Sequence, residues 1–218
     1  MDYNSIFIKL INIYQLKKLI FIMNSDSFDS EDKSFSSKDV DTESKTHQEE
    51  TQKNNKDLIH AISIILTMVL EENKNIKNYK EILMKQNKLI FTANSVPKIS
   101  IFDYLVRILK YSFIERSTLI ISLIYIDRLC ELSKLTLTYY NIHRILVGAI
   151  LIAIKYNEDS IYNNKYYSEI AGVSLNELNL IESKFIELCN CKMFVSNKVF
   201  ENYSCYLESF KKINDLNL

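Results

Sequence analysis

Side chains able to do chemistry are few in this 218-residue chain. Its three histidines, His47, His60 and His143, stand far apart and build no base or ligand set by themselves. Its four cysteines, Cys130, Cys189, Cys191 and Cys205, lack zinc-ligand spacing, and Cys189-x-Cys191 alone is a weak metal signal. They read as small buried hydrophobes of a reducing compartment. No glycine-rich loop that would cradle a phosphate occurs, and no nucleophile–base set. An enzyme is therefore not expected, nor a metal or other cofactor.

What remains are charges in apolar places. Asp127 has Leu123, Ile124 and Cys130 one turn away. An unpaired carboxylate there would cost on the order of several kcal/mol, so it should meet a cation or a group of N–H donors. Arg107, Arg128 and Arg144 are the candidates. Lys155 ends the most apolar stretch of the chain, and Glu182 lies beside Leu178 and Phe185. If the two segments that carry them pack side by side, these opposite charges share one surface and can engage a partner.

The element that must position them is the stretch 141–157, NIHRILVGAILIAIKYN. Ile142, Ile145, Leu146, Ala149, Ile150, Ala153 and Ile154 follow a period of 3.6, and Val147, Leu151 and Ile152 fill the other sides. A helix apolar all round is a buried one, and this run is too short to span a bilayer, which takes about 18 or more such residues. Gly148, Ala149 and Ala153 are small enough to let neighbouring helices come close. The chain then turns abruptly polar at Lys155-Tyr156-Asn157-Glu158-Asp159, where a surface begins.

Two glycines and one proline suit helices and short turns rather than a β-rich chain. Basic and acidic residues number 27 each, so the bulk charge that draws proteins to nucleic acid is missing. Residues 1–23 are apolar but interrupted by Lys9, Asn12, Gln15, Lys17 and Lys18, without a clear secretory signal. A membrane-surface helix and a start of synthesis at Met23 are the two readings, and the segment is expected to be dispensable; mass spectrometry of the native N-terminus tests the start, and flotation of full-length against Met23-start forms tests tethering. Residues 24–56 are an acidic, serine-rich tail with almost no apolar content, expected to be disordered.

Helical periodicity starts at 57, with Asp57 as the expected cap and Ile59, Ile62, Ile65, Leu66 and Val69 as the stripe. A second segment carries Ile76, Tyr79, Ile82, Leu83, Gln86 and Ile90 up to Pro97. Five helices follow. The first, 100–112, should bury Phe102, Leu105, Val106 and Leu109; the second, 115–133, Leu119, Leu123 and Ile126. The third is the central one, with Thr138 as a candidate cap, and the fourth, 164–172, ends on Gly172. The fifth opens on the capping box Ser174-Leu175-Asn176-Glu177 ahead of Leu178, Ile181, Phe185 and Leu188. A last helix over 197–213 carries Val199, Tyr203, Tyr206, Leu207 and Phe210.

The run 95–206 resembles the cyclin box of the P/U-type cyclins, the single-box group related to the phosphate-signalling cyclin of yeasts. The matching residues are Ser95-Val96-Pro97, Ile99-Ser100-Ile101, Asp103-Tyr104-Leu105 with Arg107-Ile108, and Tyr125-Ile126-Asp127-Arg128-Leu129. Asn141-Ile142-His143-Arg144-Ile145-Leu146, Lys155-Tyr156 with Asp159, and Tyr162-Asn163-Asn164 with Tyr166-Tyr167 continue the pattern. Gly172-Val173-Ser174, Glu177-Leu178-Asn179 and Leu180-Ile181-Glu182 with Phe185 complete it.

The resemblance implies an all-α chain: one five-helix box over 94–195, N-terminal helices over 57–93 and a C-terminal helix over 196–218. It implies a regulatory protein with no catalysis of its own, which binds a cyclin-dependent kinase as a heterodimer and places the kinase's regulatory helix. Lys155 and Glu182 match the pair that faces the kinase, with Tyr156, Glu158 and Asp159 on the same surface. Asp127 matches a buried aspartate whose partner lies near the first box helix, here Arg107 or Lys98. Ala171-Gly172 stands where the group usually has paired glycines, and Lys98-Ile99-Ser100-Ile101 where cell-cycle cyclins carry a docking patch, which has no clear counterpart here. His143 is expected to be structural. The alternative function is a cyclin-fold scaffold that binds a non-kinase partner. Neither nucleic acid nor a membrane is an expected partner, and the expected location is intracellular, in nucleus, cytoplasm or both.

Overall fold

The computed structural model describes residues 43–215 apart from Asn87 and Phe113. The chain is all-α: the described residues form eight helices and no strand. In order they are α1 (Glu43–Lys74), α2 (Tyr79–Gln86), α3 (Ile101–Ser112), α4 (Arg116–Ser133), α5 (Ile142–Asn157), α6 (Asn164–Ala171), α7 (Leu175–Leu188) and α8 (Asn197–Asp215). Helices α3 to α7 are the five expected from the sequence. The expectations for residues 1–23 and 24–42 lie outside the described residues.

Helix α5 is the axis of the packing. From Ile142 to Ile154 every residue but Arg144 is buried, and α4 and α7 lie against it. The contact with α7 is close because position 148 has no side chain. A Cβ there would stand 2.8 Å from Ile181 Cγ2 and 3.3 Å from Phe185 Cδ2, both on side chains with no exposed surface. Gly148→Ala gains about 1 kcal/mol of helix propensity but overpacks this seam at about 1–3 kcal/mol, so a net loss of about 1–2 kcal/mol is expected in urea unfolding. An unchanged or raised midpoint would mean that α7 yields at no cost.

Local chemistry explains the helix ends. Asn163 Oδ1 accepts from the Tyr166 amide at the start of α6, and α6 ends on Gly172 at φ 71°, the left-handed conformation that glycine adopts freely. Ser174 and Glu177 close the capping box of α7 reciprocally. Ser100 Oγ accepts from the Asp103 amide at 3.0 Å and so caps α3.

Three readings of the sequence need correction. Helix α1 begins at Glu43, so Asp57 lies inside it and residues 43–56 are helical instead of disordered. That stretch is rich in Glu, Lys and Gln, good helix formers, and extends a helix whose nucleation cost is already met where Leu58, Ile62, Ile65 and Leu66 pack. Helix α3 is rotated from the expected face: Ile101, Tyr104, Leu105 and Ile108 are buried, whereas Val106 is 36% exposed. Thr138 does not cap α5. Its amide donates to Asn141 Oδ1 at 2.8 Å, and its carbonyl accepts from the amides of Asn141 and Ile142, so Asn141 shapes the turn.

The box does not stand alone. Helix α1 covers α3, and α8 packs on α1 and α4. Leu58, Leu66 and Leu70 of α1 and Leu207 and Phe210 of α8 are as buried as α5 itself.

Candidate functional site

Lys155 and Glu182 meet. Lys155 Nζ donates to Glu182 Oε1 at 2.6 Å, and the side chains are 32% and 15% exposed. The α5–α7 seam at Gly148 brings their helices together. Glu182 Oε2 accepts from Asn164 Nδ2 at 2.8 Å, and the same amide donates to Asn179 Oδ1 at 2.8 Å. Asn164, which sequence reasoning placed only within a matching motif, is thus part of the site. Its signal was its place at the first position of α6, but nothing local announces a bond to α7.

Tyr156 is 54% exposed beside the pair. Glu158 and Asp159 both line an open groove of about 480 Å³ with Ser112, Glu115, Ile161 and Tyr162. Glu158, expected on the partner-facing surface, also bonds to the start of α4. Its Oε1 accepts from the Glu115 amide at 3.0 Å and the Thr118 hydroxyl at 2.5 Å, so it satisfies the amide of the residue that opens α4 and ties the end of α5 to that helix. The first amides of α4 lack a side-chain cap of their own, and an acidic group at a helix N-terminus is favoured by both bonding and dipole.

Asp127 also differs from expectation. It is buried on α4, and its Oδ2 accepts from the Tyr203 hydroxyl of α8 at 2.5 Å. None of the described ion pairs joins it to Arg107 or Lys98. The candidate cations are engaged elsewhere. Arg107 lies 5.2 Å over the Tyr104 ring and against Gly172. Lys98 is exposed before α3. Arg128 donates to the carbonyls of Lys192 and Phe194. Arg144 donates to the carbonyls of Ile90 and Thr92, both at 3.0 Å, and to Glu177 Oε1 at 2.6 Å. Tyr203→Phe keeps the volume and removes the hydroxyl, so it should cost about 1.5–3 kcal/mol, the range for a hydrogen bond to a charged group. A thermal melt reads this loss; an unmoved melt contradicts the bond's contribution.

His143 is structural, as expected. Its Nε2 faces the Ile99 carbonyl at 3.0 Å, which makes that nitrogen the protonated one, and its ring stands edge-on to Tyr104 at 5.0 Å. Burial pushes its pKa below the ordinary value; the Ile99 bond opposes this more weakly, and the Arg107 charge adds a smaller downward push. The folded protein therefore binds this proton less readily than the unfolded chain. Stability is full above about pH 6.5 and falls as pH drops from there through the depressed folded value. Melting temperature should decline on acidification from pH 7 to 5.5, and His143→Gln should flatten that slope; equal slopes would rule the histidine out as the cause.

The cysteines divide. Cys130 and Cys189 are buried, and burial raises both thiols, Cys189 to about 12, which makes them poor nucleophiles. Cys191 and Cys205 are exposed, against the expectation that all four are buried. Cys191 sits in a left-handed turn with Asn190 just past α7, so its side chain leaves the core there.

The sequence pattern of the family described as Cyclin matches residues 15–193. Cyclin-U4-3 of Arabidopsis thaliana is 33% identical over 152 residues, which cover 69% of this chain and 67% of that protein. PHO85 cyclin-like protein psl1 of Schizosaccharomyces pombe is 32% identical over 191 residues, 83% of this chain and 79% of that one. PHO85 cyclin-7 of Saccharomyces cerevisiae is 27% identical over 206 residues, with 79% and 72% covered. A pattern matched along most of the chain, carried by helices that pack around α5, places this protein in the cyclin family, among its P/U-type members.

Proposed function

We propose that this cyclin is the regulatory subunit of a cyclin-dependent kinase and acts by holding the kinase's regulatory helix in its active position. The observation that carries the reading is the Lys155–Glu182 pair, which joins the last turn of α5 to the middle of α7, two helices that Gly148 lets touch. Lys155 uses one of its three N–H donors on Glu182, so the others are open to carbonyls at the end of a partner helix. Holding that helix completes the kinase's lysine–glutamate ion pair, which phosphoryl transfer needs. The cyclin supplies no reacting group: it binds the active kinase conformation better than the inactive one, and that difference in affinity is the activation. The names of two relatives make a PHO85-like kinase the first candidate.

The test is affinity purification of the tagged protein from its own cells, with partner identification and a kinase assay on the eluate. A co-purified kinase, active with wild type and lost with Lys155→Ala plus Glu182→Ala, is the expected result. A clean purification without a kinase overturns the proposal and turns the function toward a scaffold.

A further inference from the structure

The geometry points to Asn164 as a positioning residue that presets Glu182 for the partner kinase. The inference rests on the kinase-regulatory reading above and adds to it a third member of the site.

An ionised carboxylate has two oxygens that only accept, and a glutamate on a helix surface ordinarily samples several rotamers. Here both oxygens are held. Lys155 Nζ takes Oε1 at 2.6 Å and Asn164 Nδ2 takes Oε2 at 2.8 Å. The orientation of the Asn164 amide is fixed by chemistry: the atom that faces a carboxylate oxygen must be the nitrogen, and the second contact of that nitrogen, Asn179 Oδ1 at 2.8 Å, is also an acceptor. One amide group therefore ties the start of α6 to two residues of α7.

The backbone around Asn164 is itself pinned. Asn163 caps α6 through the Tyr166 amide, so Asn164 is not needed as the cap and its side chain is free for Glu182. This division separates a role in folding α6, which falls to Asn163, from a role in aiming Glu182, which falls to Asn164. A side chain locked before binding does not lose its rotamer freedom when the partner arrives, and affinity rises accordingly. Lys155 gains as well, since a fixed carboxylate holds the ammonium while its remaining donors stay outward.

The experiment is a double-substitution cycle on affinity for the kinase recovered with the wild-type chain. Asn164→Ala should weaken binding about tenfold, the effect of losing one bond to a charged group. In a Glu182→Ala background the same change should have little further effect, because Asn164 acts only through Glu182. Asn164→Asp keeps the shape but turns a carboxylate toward Glu182, and should weaken binding more than Asn164→Ala. Circular dichroism and thermal melts hold the fold constant across the set. Additive effects in the cycle, or wild-type affinity in Asn164→Asp, would overturn the positioning role. If Glu182→Ala alone leaves affinity unchanged, the kinase-facing reading of the site falls, and this inference with it.

Discussion

Glu182→Ala is expected to weaken kinase binding by about 2–5 kcal/mol, roughly 30- to 4,000-fold, with the helical fold intact. The size follows from what is left behind. Lys155 loses the carboxylate that holds it, and in the complex its ammonium would be desolvated without its partner. Lys155→Ala should fall in the same range for the converse reason, since Glu182 would keep only the Asn164 amide. Neither change should cost the isolated protein more than about 1 kcal/mol, because both side chains are in part solvated there and exposed pairs contribute little. The informative pair of measurements is thus a binding titration and a melt on the same samples. Wild-type affinity in a well-folded mutant would remove Lys155 and Glu182 from the interface.

Phe185→Ala should be the most damaging single change to folding, at about 3–5 kcal/mol. Phe185 has no exposed surface, meets Gly148 of α5 and stands edge-on to Phe91 at 6.2 Å. Phe91 belongs to the segment between α2 and α3 whose carbonyls, at Ile90 and Thr92, are held by Arg144. One ring therefore fills the junction of α5, α7 and that segment, where little can collapse into the gap. Chemical denaturation reads the loss, and a change below about 1 kcal/mol would show that the junction repacks. Since α7 also carries Glu182, the mutant should lose kinase affinity even at temperatures where it stays folded.

The capping box of α7 and the stop at Gly172 were legible in the sequence because each is set by residues a few positions apart, whereas for Gly148 only the room for a neighbouring helix was legible and not that α7 fills it. So was the approach of Lys155 to Glu182, once the two helices were taken to pack. The α3 face was not. Ile101, Tyr104 and Ile108 fit the helical period as well as Phe102 and Leu109 do, and only contact with α1 and α6 decides between them. The bond of Tyr203 to Asp127 was not legible either, because Tyr203 lies 76 residues further along and a tyrosine in an amphipathic helix looks like any other core ring. Glu158 reads in sequence only as a member of the partner-facing surface. Its task is visible only when the end of α5 is set beside the start of α4.

The bond between Tyr203 and Asp127 has a consequence for how the protein is made. Helix α4 leaves the ribosome well before α8 does, so the nascent chain carries a carboxylate destined for the interior with its hydroxyl partner still unsynthesised. Until α8 docks, the apolar faces that Leu207 and Phe210 later cover are also open. The emerging box is then an unfinished domain with apolar surface open to solvent, and translation that pauses before α8 would prolong that exposure.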